Sequence, residues 1–209
     1  MTMEPFQAFD EKFKNCMDKF RDLDFSPEKA EILGVRIAGP SVVVDFFNRK
    51  ILVSKEAVTD AEGKELTLAI KVLLLKYLLF CPDYIHETTH RLVTFREFSN
   101  AAPLFSSFTA NTAKIIETSF SGNRVRLEQQ CIRLGGTLME NASHDMSVRF
   151  RALYRIPIIL NFNDRDKTLP AKACFLYHDN ADRYLDLESL MITCTYLTGL
   201  LLQTDTGCL

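Results

Sequence analysis

Residues 147–162 read Ser-Val-Arg-Phe-Arg-Ala-Leu-Tyr-Arg-Ile-Pro-Ile-Ile-Leu-Asn-Phe, and the two patterns inside this stretch decide the fold class. From Ser147 to Ala152 apolar residues alternate with Arg149 and Arg151, the period of a strand with one wet face. From Ile156 to Phe162 the run is almost continuously apolar, as in a strand enclosed on both sides. Ala173 to Tyr177, beyond a polar loop holding Asp164 and Asp166, supplies a third strand.

Working outward, a second strand group stands upstream. Ser41–Phe46 and Arg49–Val53 are β-branched or aromatic runs separated only by Phe47 and Asn48, which predicts a hairpin. Helical patterns surround both groups. Phe6, Phe9, Phe13, Met17 and Phe20 recur every three or four residues, placing one aromatic stripe on a helix from about Glu4 to Asp22. Ser26, Pro27 and Glu28 start a short second helix that Gly34 stops, so residues 1–33 form an N-terminal helical segment. Leu66 to Phe80 is apolar on nearly every side and ends before Pro82, the pattern of an enclosed helix. Val93–Phe98 reads as a short strand or turn-like element. Helices are expected at Leu104–Phe120 and at Val125–Leu134, the second closed by Gly135 and Gly136. A last helix, Leu187–Leu202, has Asp186 as its cap and Glu188 in its first turn. Helices that bracket and interrupt two groups of antiparallel strands argue for an α+β fold, and with no linker or repeat a single domain is expected.

The 209 residues carry 25 basic and 27 acidic side chains, a net charge of -2. That balance offers no general attraction to nucleic acid or to an anionic membrane surface. The local run of Arg124, Arg126, Arg133, Arg149, Arg151 and Arg155 lacks interleaved aromatics and reads as a salt-bridged, solvated face. Leu66–Cys81 is interrupted by Lys71 and Lys76, so it does not supply a bilayer-spanning run. The N-terminus lacks the features of a signal peptide, and a cytoplasmic location is expected. The six cysteines, Cys16, Cys81, Cys131, Cys174, Cys194 and Cys208, are scattered without a close pair and read mostly as reduced, buried small hydrophobes, Cys208 being the exposed one.

In order along the chain, Leu73-Leu-Leu-Lys-Tyr-Leu78, Val93-Thr-Phe-Arg-Glu97, Arg155-Ile-Pro-Ile-Ile-Leu160, Leu169-Pro-Ala-Lys-Ala173 and Ala181-Asp-Arg-Tyr-Leu185 resemble the family called domain of unknown function 3786. The resemblance covers nearly everything after the first helix. It implies a protein of anaerobic metabolism, sometimes joined to a cysteine-rich iron-sulfur segment that this sequence does not show. It also implies an acidic loop before a proline and an aspartate after the following strand. Asp164 and Asp166 stand in such a loop, slightly longer here, with Phe162 ahead of it; His178 takes the place of the aspartate, and Asp179 follows.

Three places carry candidate chemistry. His86-Glu87-Thr88-Thr89-His90 would, on a helix, put two imidazoles on one face to hold zinc with Glu87 as proton acceptor, a hydrolase arrangement. Pro82 and two adjacent threonines work against that helix, so a solvated connection is the favoured reading and no metal is favoured. The stretch Tyr177–Tyr184 places a histidine and carboxylates at a strand end, where a cation or polar ligand could be held if the loop of Asp164 and Asp166 meets His178 and Asp179. A simple hairpin would set those two groups at opposite ends, so convergence needs the chain to bend back or another chain to contribute. His144-Asp145 reads as a surface pair. The leading expectation is a protein that handles a small-molecule or cofactor ligand as an accessory in anaerobic metabolism, with no motif naming the cofactor. The alternatives are a zinc-dependent hydrolase using His86, Glu87 and His90, and a protein-interaction module using the aromatic first helix.

Overall fold

The computed structural model describes residues 5–87, 89 and 91–203. The chain forms two compact units, one from residues 1–88, 152–156 and 180–192, the other from residues 89–151, 157–179 and 193–209. Its seven α-helices and two antiparallel sheets, counted over the described residues, make an α+β fold.

In the first unit α1 (Pro5–Asp22) and α2 (Pro27–Leu33) lead into a four-stranded sheet of β1 (Arg36–Ala38), β2 (Ser41–Phe46), β3 (Arg49–Ser54) and β4 (Val58–Asp60), in that spatial order, followed by α3 (Leu68–Leu79). The β2–β3 hairpin turns on Phe47 at φ 46° and Asn48 at φ 63°, the two left-handed residues that a two-residue turn needs to match strand twist. Asn tolerates this conformation; Phe47 is held there in the core, and its N–H donates to Ala152 O at 3.1 Å. Ser26 caps α2, accepting from Lys29 N at 3.4 Å, and Gly34 closes it at φ 66°. A methyl group on Gly34 would fall about on the Tyr154 ring, 2.0 Å from Cδ1, so this helix end is doubly restricted to glycine. Arg155 adds a cationic cap to α2: its Nε donates to Ile32 O at 2.6 Å and its Nη2 to Glu31 O at 3.3 Å. α1 packs on α3, with Met17 and Phe20 buried as the stripe predicts. α3 is enclosed: Ile70, Val72, Leu73, Leu74, Leu75, Tyr77 and Leu78 are all buried, and the Tyr77 hydroxyl donates to Leu33 O at 2.6 Å.

In the second unit β5 (Leu92–Thr94) runs into one 3-10 turn, Phe95–Glu97, where Thr94 and Glu97 satisfy each other's backbone in a capping box. Then come α4 (Ala102–Asn111), α5 (Ala113–Phe120), α6 (Arg124–Arg133), β6 (Thr137–Leu138), β7 (Met146–Leu153), β8 (Ile156–Asn163), β9 (Lys172–His178) and α7 (Leu187–Leu202). Residues 152–156, the β7–β8 tip, and the first residues of α7 count with the first unit. The five-stranded sheet has the order β5-β9-β8-β7-β6. The helix expected over Leu104–Phe120 is two helices. Thr112 breaks it at φ −132°, ψ −89°, its buried hydroxyl turned back to donate to Phe108 O at 2.6 Å. Aromatic rings fill the interior: Phe95 stacks on Phe108 at 4.3 Å, and Phe98 meets Tyr177 edge-on at 5.7 Å. The Tyr177 hydroxyl pairs with the Cys194 thiol at 2.9 Å, both groups fully buried.

The cysteines fit the expectation where they are described. Cys16, Cys131 and Cys194 are buried free thiols, Cys81 and Cys174 are half-buried, and Cys208 lies outside the described residues. Burial pushes the Cys131 thiol up to about 12, which makes it chemically inert at neutral pH.

Candidate functional site

A pocket of about 630 Å³ in the first unit opens beside the α1–α3 pair and is lined by Lys12, Asn15, Cys16, Lys19, Lys76 and Asp186 among others. Residues three or four apart share a helix face, so Lys12, Asn15, Cys16 and Lys19 form one wall from α1, next to the aromatic stripe that anchors the helix. The α3 wall is Lys76, Leu79 and Phe80 by the same spacing. Asp186 is fixed by its local role: its carboxylate accepts from Ser189 N at 2.8 Å and so caps the start of α7.

Charges are chained across this pocket. The Lys76 ammonium lies 2.9 Å from Asp186 and 3.4 Å from Glu188, and Glu188 also takes Lys12 at 2.7 Å. Burial alone would lower the Lys76 pKa, but hydrogen bonds and charge from Asp186 and Glu188 outweigh it and hold the ammonium above its ordinary value. For Asp186 burial works toward neutrality, and Lys76 with the Ser189 amide reverses it, keeping the carboxylate ionised. Burial raises the Cys16 thiol against the opposing pull of Lys76, Lys19 and Lys12, so it stays a neutral wall atom. Among the described residues Lys19 has no carboxylate partner.

The acidic loop serves the backbone. Asp164 accepts from Gly122 N at 2.5 Å, Arg165 N at 2.7 Å and Arg124 N at 3.1 Å, so it caps α6 from across the fold where Asn123 makes no side-chain cap. Asp166 accepts from Thr168 N at 2.6 Å and Leu169 N at 2.7 Å, closing its own turn. Asp145 accepts from Asp164 N at 2.8 Å, and these three acids with Lys172 edge a smaller hollow of about 370 Å³. Burial works to raise the Asp164 pKa, yet its three backbone donors prevail and lower it. Asp164→Ala is therefore expected to lower stability by about 0.5–2 kcal/mol, the worth of a helix cap, read from urea unfolding. Because the folded pKa is depressed, this contribution is present above the unfolded carboxyl value of about 3.9 and is lost as pH falls through the folded one; the deficit of the variant should shrink accordingly in acid.

His178 and Asp179 stand elsewhere. In the β8–β9 ladder Asn163 faces Lys172 at the loop end, whereas Ile158 faces Tyr177 at the other. The six steps from Lys172 to His178 span roughly 20 Å, so the strand register does not bring the two acidic groups together. His178 pairs with Leu92 of β5; the Asp179 N–H donates to Arg91 O at 3.1 Å, and its carboxylate accepts from the Thr89 hydroxyl.

Residues 81–87 form no helix. His86 is held by its backbone: its N–H donates to the Tyr184 hydroxyl at 2.7 Å, its carbonyl accepts from Asn180 Nδ2 at 2.8 Å, and its ring lies 4.5 Å from that of Tyr84. Glu87 is exposed in the same connection, and His90 lies outside the described residues. Among the described residues no group of three or more His, Cys, Asp or Glu is placed to hold a metal ion, and no helix is long and apolar enough to cross a membrane. Four arginines of the basic stretch are engaged in local contacts: Arg124 pairs with Glu128 at 3.4 Å, Arg126 covers the Phe120 ring, Arg133 donates to Gln203 O, and Arg155 caps α2.

The lysine-lined pocket escapes a reading of the sequence because its walls come from residues 11–19, 76–80 and 186. Lys76, one of two lysines in the otherwise apolar α3, is the one local signal: a half-buried ammonium there must find carboxylates, and the acids around Asp186 are the partners. No curated protein and no solved structure matches the chain. The model of the family described as Domain of unknown function (DUF3786) matches residues 26–199, which include all of both sheets and helices α2 to α6. With that match spanning well over half its length, the chain belongs to the DUF3786 family.

Proposed function

We propose that the protein is a ligand-handling accessory whose small-molecule site is the pocket walled by α1, α3 and Asp186. The anaerobic setting comes from the family resemblance alone. One observation carries the reading: a hollow of about 630 Å³, within the size range of small-molecule sites, that combines an apolar wall at Leu79 and Phe80 with fixed charged groups. A purely structural ion-pair cluster would have no need of such a volume beside it. The charged groups are also preorganised, since Lys76, Asp186 and Glu188 hold one another through ion pairs of their own.

The test is native mass spectrometry of protein purified without oxygen, beside an Asn15→Trp variant. Asn15 is exposed on the pocket wall, so the indole fills the space without entering the core. The expected result is a small-molecule adduct on the natural chain that is reduced or absent in the variant. Equal retention by both would place the ligand elsewhere. Elemental analysis of the same samples tests the hydrolase alternative: about one zinc per chain, lost on His86→Ala, would favour that chemistry instead.

A further inference from the structure

We infer that the ligand of this pocket is an organic anion with an apolar body, its carboxylate or phosphate on Lys19 and its body against Leu79 and Phe80. The inference rests on the pocket reading above and adds the ligand's class and orientation. It follows from how the five charged side chains of the lining, Glu11, Lys12, Lys19, Lys76 and Asp186, are already used. Lys76 is held between Asp186 and Glu188, and Lys12 by Glu188, so that end of the pocket is internally neutralised. Lys19 is the lining cation left without a carboxylate among the described residues. It lies three residues after Cys16 on the same face of α1, and both side chains line the pocket.

The neighbours of Lys19 define the rest of the ligand. Asn15, one helical turn earlier on the same face of α1, offers an amide donor to the same anion. Glu11 lies eight residues before Lys19, roughly 12 Å along the helix, and repels an anion from that end. On the α3 wall Phe80 is 51% exposed, a large apolar surface lining the same pocket as Lys19. Together these favour a negative head with a hydrocarbon or aromatic body over a cation, a neutral alcohol or inorganic phosphate alone.

Matched six-carbon probes separate the possibilities: hexanoate, hexylammonium and 1-hexanol, each titrated at millimolar concentrations and followed by protein-observed NMR. Hexanoate should bind at least about tenfold more tightly than the other two, and Lys19→Gln should remove about that factor, the worth of one charge-assisted contact. Lys19→Arg should keep the preference, and unliganded thermal midpoints of both variants should match the natural chain, since Lys19 is exposed. Hexylammonium or hexanol binding as tightly as hexanoate, or a Lys19→Gln affinity unchanged, overturns the anion inference; if Asn15→Trp still abolishes that binding, the pocket reading survives. Binding by none of the probes, or binding that Asn15→Trp leaves intact, overturns both.

Discussion

Leu74→Ala is expected to lower the unfolding free energy by about 2–5 kcal/mol, the range for a large apolar side chain removed from a close-packed interior. Leu74 is fully buried on α3, and so are Leu73, Leu75, Tyr77 and Leu78 around it. A helix enclosed on this many sides cannot rotate or slide to fill the gap, which favours the upper part of the range. Leu75→Ala should behave alike, whereas Leu79→Ala, at the half-buried pocket end, should cost less. Urea midpoints measured on the three variants check the order; unchanged midpoints for Leu74 and Leu75 would contradict the enclosed helix.

Asp60→Ala should also be damaging, about 1–3 kcal/mol, because it removes a buried carboxylate that accepts from Arg49 and from two turn amides. The Asp60 side chain is 1% exposed and lies 2.9 Å from the Arg49 guanidinium. The same carboxylate accepts from Glu62 N at 2.8 Å and from Lys64 N at 3.4 Å, so it also organises the turn after β4. Burial opposes its ionisation, but the two amides and Arg49 win and the pKa is lowered. A depressed carboxyl pKa means stability present above about 3.9 and lost as pH falls through the folded value. Comparing urea midpoints of the natural chain and the variant at neutral and acidic pH tests this, and a deficit that stays constant into strong acid would contradict the assignment.

Much of the fold is legible because its signals are local. The Phe47-Asn48 turn, the Ser26 and Asp186 caps, the alternation at Arg149 and Arg151, and the apolar wrap of α3 are each decided within a few residues. What stayed hidden is what depends on distant partners. Edge strands β1, β4 and β6 are two or three residues long and exist by pairing, too short for any pattern. The break at Thr112 turns on one hydroxyl choosing its own helix's carbonyl. Asp164 and Asp166 were legible as a loop, and the resemblance pointed to that loop as a ligand place; which atoms they hold needed coordinates, since Gly122 and Arg124 are some 40 residues away. The lysine pocket is the extreme case, since Lys12 and Glu188 are 176 residues apart.

That separation has a temporal side. The first unit takes residues 152–156 and 180–192 as well as the first 88, so α2 has no Arg155 cap and Lys76 no carboxylates until most of the chain exists. During synthesis at about 5–20 residues per second, the ribosome needs roughly 5 to 20 seconds to pass from residue 88 to Asp186, and α3 must wait meanwhile with an unneutralised ammonium among its leucines. A nascent chain halted anywhere in that interval should therefore be a client for chaperones, and a fragment ending at residue 88 should remain open to proteases although it carries every strand of the first sheet.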